Sequence, residues 1–217
     1  MMDVQQNDSL TDQQLMQIAA AALQRYPQLS DGQLSLICRS ENATFSLESA
    51  GQRYALRLHR ANYHSKQDIA SELLWLDALR ESGTEVPQAV SDPQGEQVQT
   101  LHTEEGDVRH VVIFHWMEGE MPTTSVDPVA FRALGEVTAR LHRHSRQWQR
   151  PDSFQRIIWD HQTMVGDQGH WGRWQDAPRL ESQHHPLIFQ ALDKINQRLT
   201  TYGQQPERYG LIHADLR

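Results

Sequence analysis

The feature that most constrains this chain is a change of hydrophobic period along its length. Three β-like runs, Leu34 to Arg39, Thr44 to Glu48 and Arg53 to His59, are followed by one helical stretch from Ser65 to Ser82 that ends near Gly83. A hairpin pattern then runs through Val98 to Thr103 and Val108 to Trp116, turning at Glu104-Glu105-Gly106-Asp107. After Glu118-Gly119-Glu120-Met121-Pro122 breaks the pattern, the clear periodicity is helical: Asp127-Pro128 opens one helix and Pro186 another, the second with Ile188, Leu192, Ile195 and Leu199 at core spacing. Strands gathered first and helices last predict an α+β fold of two lobes with a joint near residues 115 to 120, rather than alternating βαβ units. No G-x-G-x-x-G follows a strand, which disfavours a dinucleotide fold.

Upstream, Thr11 and Gln14 fit a capping box for an amphipathic helix over residues 11 to 26, ended by Pro27. Ser49-Ala50-Gly51-Gln52 reads as a hairpin turn, and Trp159 to Leu180 as an ordered loop or short helices. In the third run Tyr54, Leu56 and Leu58 share one face, and Ala55, Arg57 and His59 the other.

Charge and composition exclude several classes. The 28 Asp+Glu outnumber 20 Lys+Arg, giving net −8, so a basic nucleic-acid binder is disfavoured. The longest apolar run, Ile18 to Leu23, is too short to span a bilayer, and the polar start lacks a secretory leader pattern. One cysteine, Cys38, cannot close an internal disulfide, and the expected setting is the reducing cytoplasm. Twelve histidines invite a metal-hydrolase reading, but their scatter and the spacing of His142/His144 and His184/His185 do not match a zincin site.

Two places could carry chemistry. Glu72 lies among Ile69, Trp75, Leu76 and Leu79 at helical spacing, where a carboxylate needs a cation or a route to solvent. Arg57, on the polar-containing strand face, is the candidate cation. The second place is Leu211-Ile212-His213-Ala214-Asp215-Leu216-Arg217, where an apolar approach leads into a His-x-Asp pair. A strand Arg, a helix Glu, a joint and a late His-x-Asp follow the chain order of the kinase signature set.

From about Leu34 to Arg217, the sequence resembles the aminoglycoside phosphotransferase/choline kinase-like family of small-molecule kinases. The resemblance implies a protein kinase-like bilobal fold. Residues 1–116 would form the nucleotide-binding lobe, an antiparallel sheet with one key helix, and residues 117–217 an incomplete helical lobe ending in the catalytic loop. It implies ATP and Mg²⁺ as cofactors and the hydroxyl of a small, amine-bearing metabolite or an aminoglycoside-like compound as acceptor. By the same resemblance Arg57, paired with Glu72, meets the nucleotide phosphates, and Ser40-Glu41-Asn42 occupies the turn above them, with Ser40 and Asn42 as candidate contacts. Backbone groups near His115 and Met117 would meet the adenine. Asp215 would position and deprotonate the attacking hydroxyl, His213 would support that loop, and Arg217 would lie near the γ-phosphate. Arg57 stands where protein kinases carry Lys; it keeps the charge and adds a planar fork.

The family pattern places a metal-binding Asn five residues after the Asp, at position 220, and a second metal-binding Asp later; the sequence ends at Arg217. The expectation is therefore an inactive fragment of a longer kinase, prone to dimerise through an uncovered face of its helical lobe. The alternative is a non-catalytic nucleotide-binding or interaction module of the same fold. Asp160, Asp167 and Asp176 could line an amine pocket or be solvated loop carboxylates.

Overall fold

The computed structural model describes residues 10–103, 106–119 and 127–215. They form two compact units: Met1–Asp127 with Gln149–Arg156, and Pro128–Trp148 with Ile157–Arg217. The segment 149–156 joins the first unit although it follows a helix of the second.

The first unit is built on helix α1 (Asp12–Leu23), strands β1 (Gln33–Arg39), β2 (Asn42–Ser49) and β3 (Gln52–His59), helix α2 (Lys66–Glu81), and strands β4 (Gln99–His102) and β5 (Val108–His115). The strands form one antiparallel sheet in the order β1-β2-β3-β5-β4. The β2–β3 hairpin turns through Ala50 and Gly51, both at positive φ (50° and 74°), the backbone that a two-residue turn between right-twisted strands demands.

Each face of the sheet has its own helix. Phe45, Leu47, Tyr54, Leu56, Leu58, Val111 and Ile113 pack with Leu15, Ala19, Ala22 and Leu23 of α1. Those α1 positions recur at helical spacing, and the alanines let the helix approach the strands closely. Thr11 closes the predicted capping box: its hydroxyl accepts from the Gln14 amide, and the Gln14 side chain accepts from the Thr11 N–H. On the opposite face Val112 and Phe114 pack with Ile69 and Leu73 of α2 and with Val98. Ser65 caps α2 through a reciprocal box with Asp68, worth about 1 kcal/mol.

The second unit contains α3 (Pro128–Gln147), α4 (His161–Val165) and α5 (His185–Tyr202). Asp160 caps α4, and Gly203 at φ 76° ends α5. The stripe expected to be core on α5 is only half covered: Ile188 and Leu192 are half-buried, whereas Ile195 and Leu199 are exposed. The five-residue α4 spans about 8 Å and cannot cover an 18-residue helix about 27 Å long. Among the described residues no helix is long and apolar enough to cross a membrane.

Candidate active site

In the first unit, Arg57 and Glu72 meet. Arg57 points from β3 onto the face that α2 covers, and Glu72 comes from the second turn of α2. Arg57 Nη2 donates to Glu72 Oε1 at 2.7 Å, with both side chains about three-quarters buried. The guanidinium also lies 5.0 Å over the Phe114 ring. Burial alone would push the Glu72 carboxyl up; the charge and hydrogen bond of Arg57, with the charge of Arg156, outweigh it and hold the group below the usual carboxylate range.

Arg156 was not foreseen. Its Nη1 lies 3.7 Å from Glu72 Oε2 and donates to the Asp68 carbonyl at 2.8 Å. It sits 84 residues beyond Glu72 in a segment without periodicity, so the sequence carries no local signal for it.

Antiparallel register sets the surroundings of Arg57. Asn42, Thr44 and Ser46 of β2 stand opposite His59, Arg57 and Ala55 of β3. Five of the six, all but His59, are half-buried, a strip of small or polar side chains beside the guanidinium. His59 is 2% exposed, with no hydrogen-bond partner for either ring nitrogen. Burial first, then the charge of Arg57, pushes it down to about 2, so the ring is neutral. Buried Arg57 Nε and Asn42 Oδ1 also lack protein partners. Unsatisfied polar atoms gathered on one strip are a donor and acceptor set that suits a polar ligand or ordered water. Ser40 is exposed at the β1–β2 turn, and its N–H donates to the Asn42 carbonyl at 3.0 Å, leaving the hydroxyl as its available group.

At the end of β5 the His115 N–H donates to the Gln88 carbonyl at 2.9 Å, and the Trp116 N–H to the Arg53 carbonyl at 3.3 Å. An adenine edge at His115 would therefore have to use its carbonyl. Met117 is exposed, and Trp116 lies under the Arg53 guanidinium, 3.7 Å from the ring centre.

In the second unit, His213 and Asp215 lie together on the loop after α5. The Asp215 N–H donates to His213 Nδ1 at 3.3 Å, which places the proton of a neutral ring on Nε2. Between them Ala214 holds φ 70°, a left-handed backbone that costs a non-glycine residue about 1–2 kcal/mol. Such strain clusters at functional loops. The Asp215 side chain is exposed. A cavity of about 220 Å³ adjoins this loop, lined by Thr138, Leu141 and His142 of α3 and by Ile212, His213 and Ala214. Arg217 lies outside the described residues.

Of the loop carboxylates weighed for an amine pocket, Asp160 is occupied as the α4 cap, accepting from the Thr163 N–H at 2.9 Å, and Asp176 lies 3.8 Å from Arg173 Nε. Among the described residues no three His, Cys, Asp or Glu side chains form a group that could hold a metal ion.

A model of the phosphotransferase enzyme family matches residues 39–217. The amicoumacin kinase of Bacillus subtilis (strain 168) is 22% identical over 202 residues, covering 92% of this chain and 57% of that protein. The structure of a microcompartment-associated aminopropanol kinase superimposes with a TM-score of 0.82 at 41% identity, over 93% of this chain and 62% of that one. An amicoumacin kinase in complex with AMP-PNP, Ca²⁺ and Ami shares the fold, with a TM-score of 0.65 at 20% identity, over 95% of this chain and 59% of that one. The chain thus spans about three-fifths of the length of these relatives. With the family model matching more than four-fifths of its residues, the chain belongs to the phosphotransferase enzyme family.

Proposed function

We propose that this chain carries the nucleotide-binding lobe and the catalytic loop of a cytoplasmic, ATP-dependent kinase. Its acceptor is the hydroxyl of a small, amine-bearing alcohol. The observation that carries the reading is the 2.7 Å pair of Arg57 and Glu72 beside a strip of half-buried polar side chains. The 41% identity to an aminopropanol kinase supports the acceptor class.

Each residue has a role in this reading. Arg57, its guanidinium fixed by Glu72, meets phosphate oxygens of the nucleotide. The Ser40 hydroxyl and the Asn42 side chain bind from the turn above. The His115 carbonyl and the Met117 backbone meet the adenine edge. Asp215 accepts the hydrogen bond of the acceptor hydroxyl and takes its proton as the oxygen bonds to the γ-phosphorus and ADP leaves. His213 holds the Asp215 backbone, and Arg217 is assigned to the γ-phosphate. Mg²⁺, when bound, would neutralise charge developing on the phosphates. Among the described residues no group of three or more His, Cys, Asp or Glu side chains could hold it.

Thermal melting with and without ATP tests the reading. ATP should raise the melting temperature of the chain, and Arg57→Ala should abolish the rise. An unchanged melting temperature at millimolar ATP would contradict nucleotide binding. For the whole enzyme, Asp215→Asn should abolish phosphoryl transfer with ATP affinity kept, whereas near-normal turnover would refute the role given to Asp215.

A further inference from the structure

We infer that Arg156 is a positioning residue for the Arg57–Glu72 pair, so that the segment 149–156 sets where α2 presents its carboxylate. The inference rests on the reading of that pair as the phosphate clamp.

Its basis is how the two carboxylate oxygens are divided. Arg57 takes Glu72 Oε1 at 2.7 Å, and Arg156 stands at Oε2, 3.7 Å away. A glutamate carboxylate held at one oxygen still turns about its last torsion, which is broad and two-fold. A second guanidinium at the other oxygen removes that freedom and leaves Oε1 aimed at Arg57. The same Arg156 Nη1 donates to the carbonyl of Asp68, one helical turn before Glu72, so Arg156 references the carboxylate to the α2 backbone.

The segment is anchored on α2 independently of Arg156. The Gln155 N–H donates to Ser71 Oγ at 2.9 Å, and the Gln155 side chain donates to Asp68 Oδ1 at 3.2 Å. The Gln67 side chain donates to the Ser153 carbonyl. Ser71 is fully buried, so its hydroxyl depends on these protein partners. Over residues 67 to 72, four hydrogen bonds and one ion pair tie the segment to α2.

Two measurements on the full 217-residue chain test the inference: the Glu72 side-chain titration by carbon-13 NMR, and ATP affinity by calorimetry. The charged and titratable groups acting on Glu72 are Arg57, Arg156 and His64. Arg156→Ala should remain folded by circular dichroism, raise the Glu72 titration midpoint, and weaken ATP binding about fivefold, as expected for loss of one partly buried charge contact. Arg156→Lys should restore most of the midpoint but only part of the affinity, because one ammonium cannot serve both the carbonyl and Oε2 as a planar fork does. Arg156→Gln serves as the neutral variant if the alanine form does not fold. A lowered melting temperature with the Glu72 titration unchanged would assign Arg156 a purely structural role and overturn the inference. So would an ATP affinity within twofold of the parent. Should the parent chain bind no ATP, the clamp reading falls, and the Glu72 titration alone still decides whether Arg156 acts on it.

Discussion

Replacing Arg57 by Met removes the charge and keeps most of the side-chain volume. Glu72 then loses its 2.7 Å hydrogen bond but keeps Arg156 at 3.7 Å and about one-fifth of its exposure. Orphaning a buried charge costs about 3–5 kcal/mol, and the remaining cation and partial solvation bring the expected cost of Arg57→Met to about 2 kcal/mol. Glu72→Gln leaves two guanidinium groups facing each other without their shared anion, at a similar cost of about 1–2 kcal/mol. The double variant lacks both the orphaned anion and one of the opposed cations. It should therefore cost less than the sum of the single changes, with a coupling of about 1–2 kcal/mol. Urea denaturation at pH 7 followed by tryptophan fluorescence measures each corner of the cycle, with the denaturant slope unchanged across variants. The Glu72 carboxyl titrates lower in the folded chain than its ordinary 4.5. Its contribution is thus complete above about pH 4.5 and is lost as pH falls through the lower folded value. A coupling below about 0.5 kcal/mol at pH 7 would be additive behaviour and would refute the pair as an energetic unit.

Two further outcomes follow from buried and strained groups. His59 falls from 6.5 to about 2 on folding, so below pH 6.5 the unfolded chain takes up a proton that the folded chain refuses. Stability should drop by about 2 kcal/mol between pH 6.5 and 5, and His59→Leu should flatten that slope in urea melts, leaving the smaller same-sign share of His64 and His110; an unchanged slope would contradict the burial assignment. At Ala214, φ 70° suits glycine, so Ala214→Gly should keep the Asp215 N–H bonded to His213 Nδ1 while Ala214→Val disrupts it. Nitrogen-15 shifts of the His213 ring read the difference, and identical spectra for the two variants would count against a strained loop.

The Arg57–Glu72 pair was legible in the sequence because two local rules conflicted there. A carboxylate within the α2 stripe of Ile69, Trp75 and Leu79 needed a cation, and the period of two along β3 put Arg57 on the face opposite Leu56 and Leu58. The helix starts were legible too: Thr11 with Gln14 fitted a capping box, and the second helical stretch began at Ser65, which the structure shows to be its cap. The burial of His59 was not: its alternation with Leu58 suggested a polar face, but α2 and its neighbours exclude water there. Arg156 was hidden for a different reason. Its role depends on a segment returning to α2 after a 20-residue helix, a long-range contact that no spacing encodes. On α5 the helical period correctly gave the helix but overstated its burial, because period reports which face is apolar and not whether anything covers it.

The central claim is that Arg57, held by Glu72, makes the first unit a nucleotide-phosphate site. Calorimetric titration of the 217-residue chain with ATP, beside Arg57→Met shown to be folded, tests it most directly. The account predicts saturable one-site binding that weakens at least about tenfold in the variant, the loss of a charge-assisted phosphate contact. Equal affinity in the two proteins would contradict it.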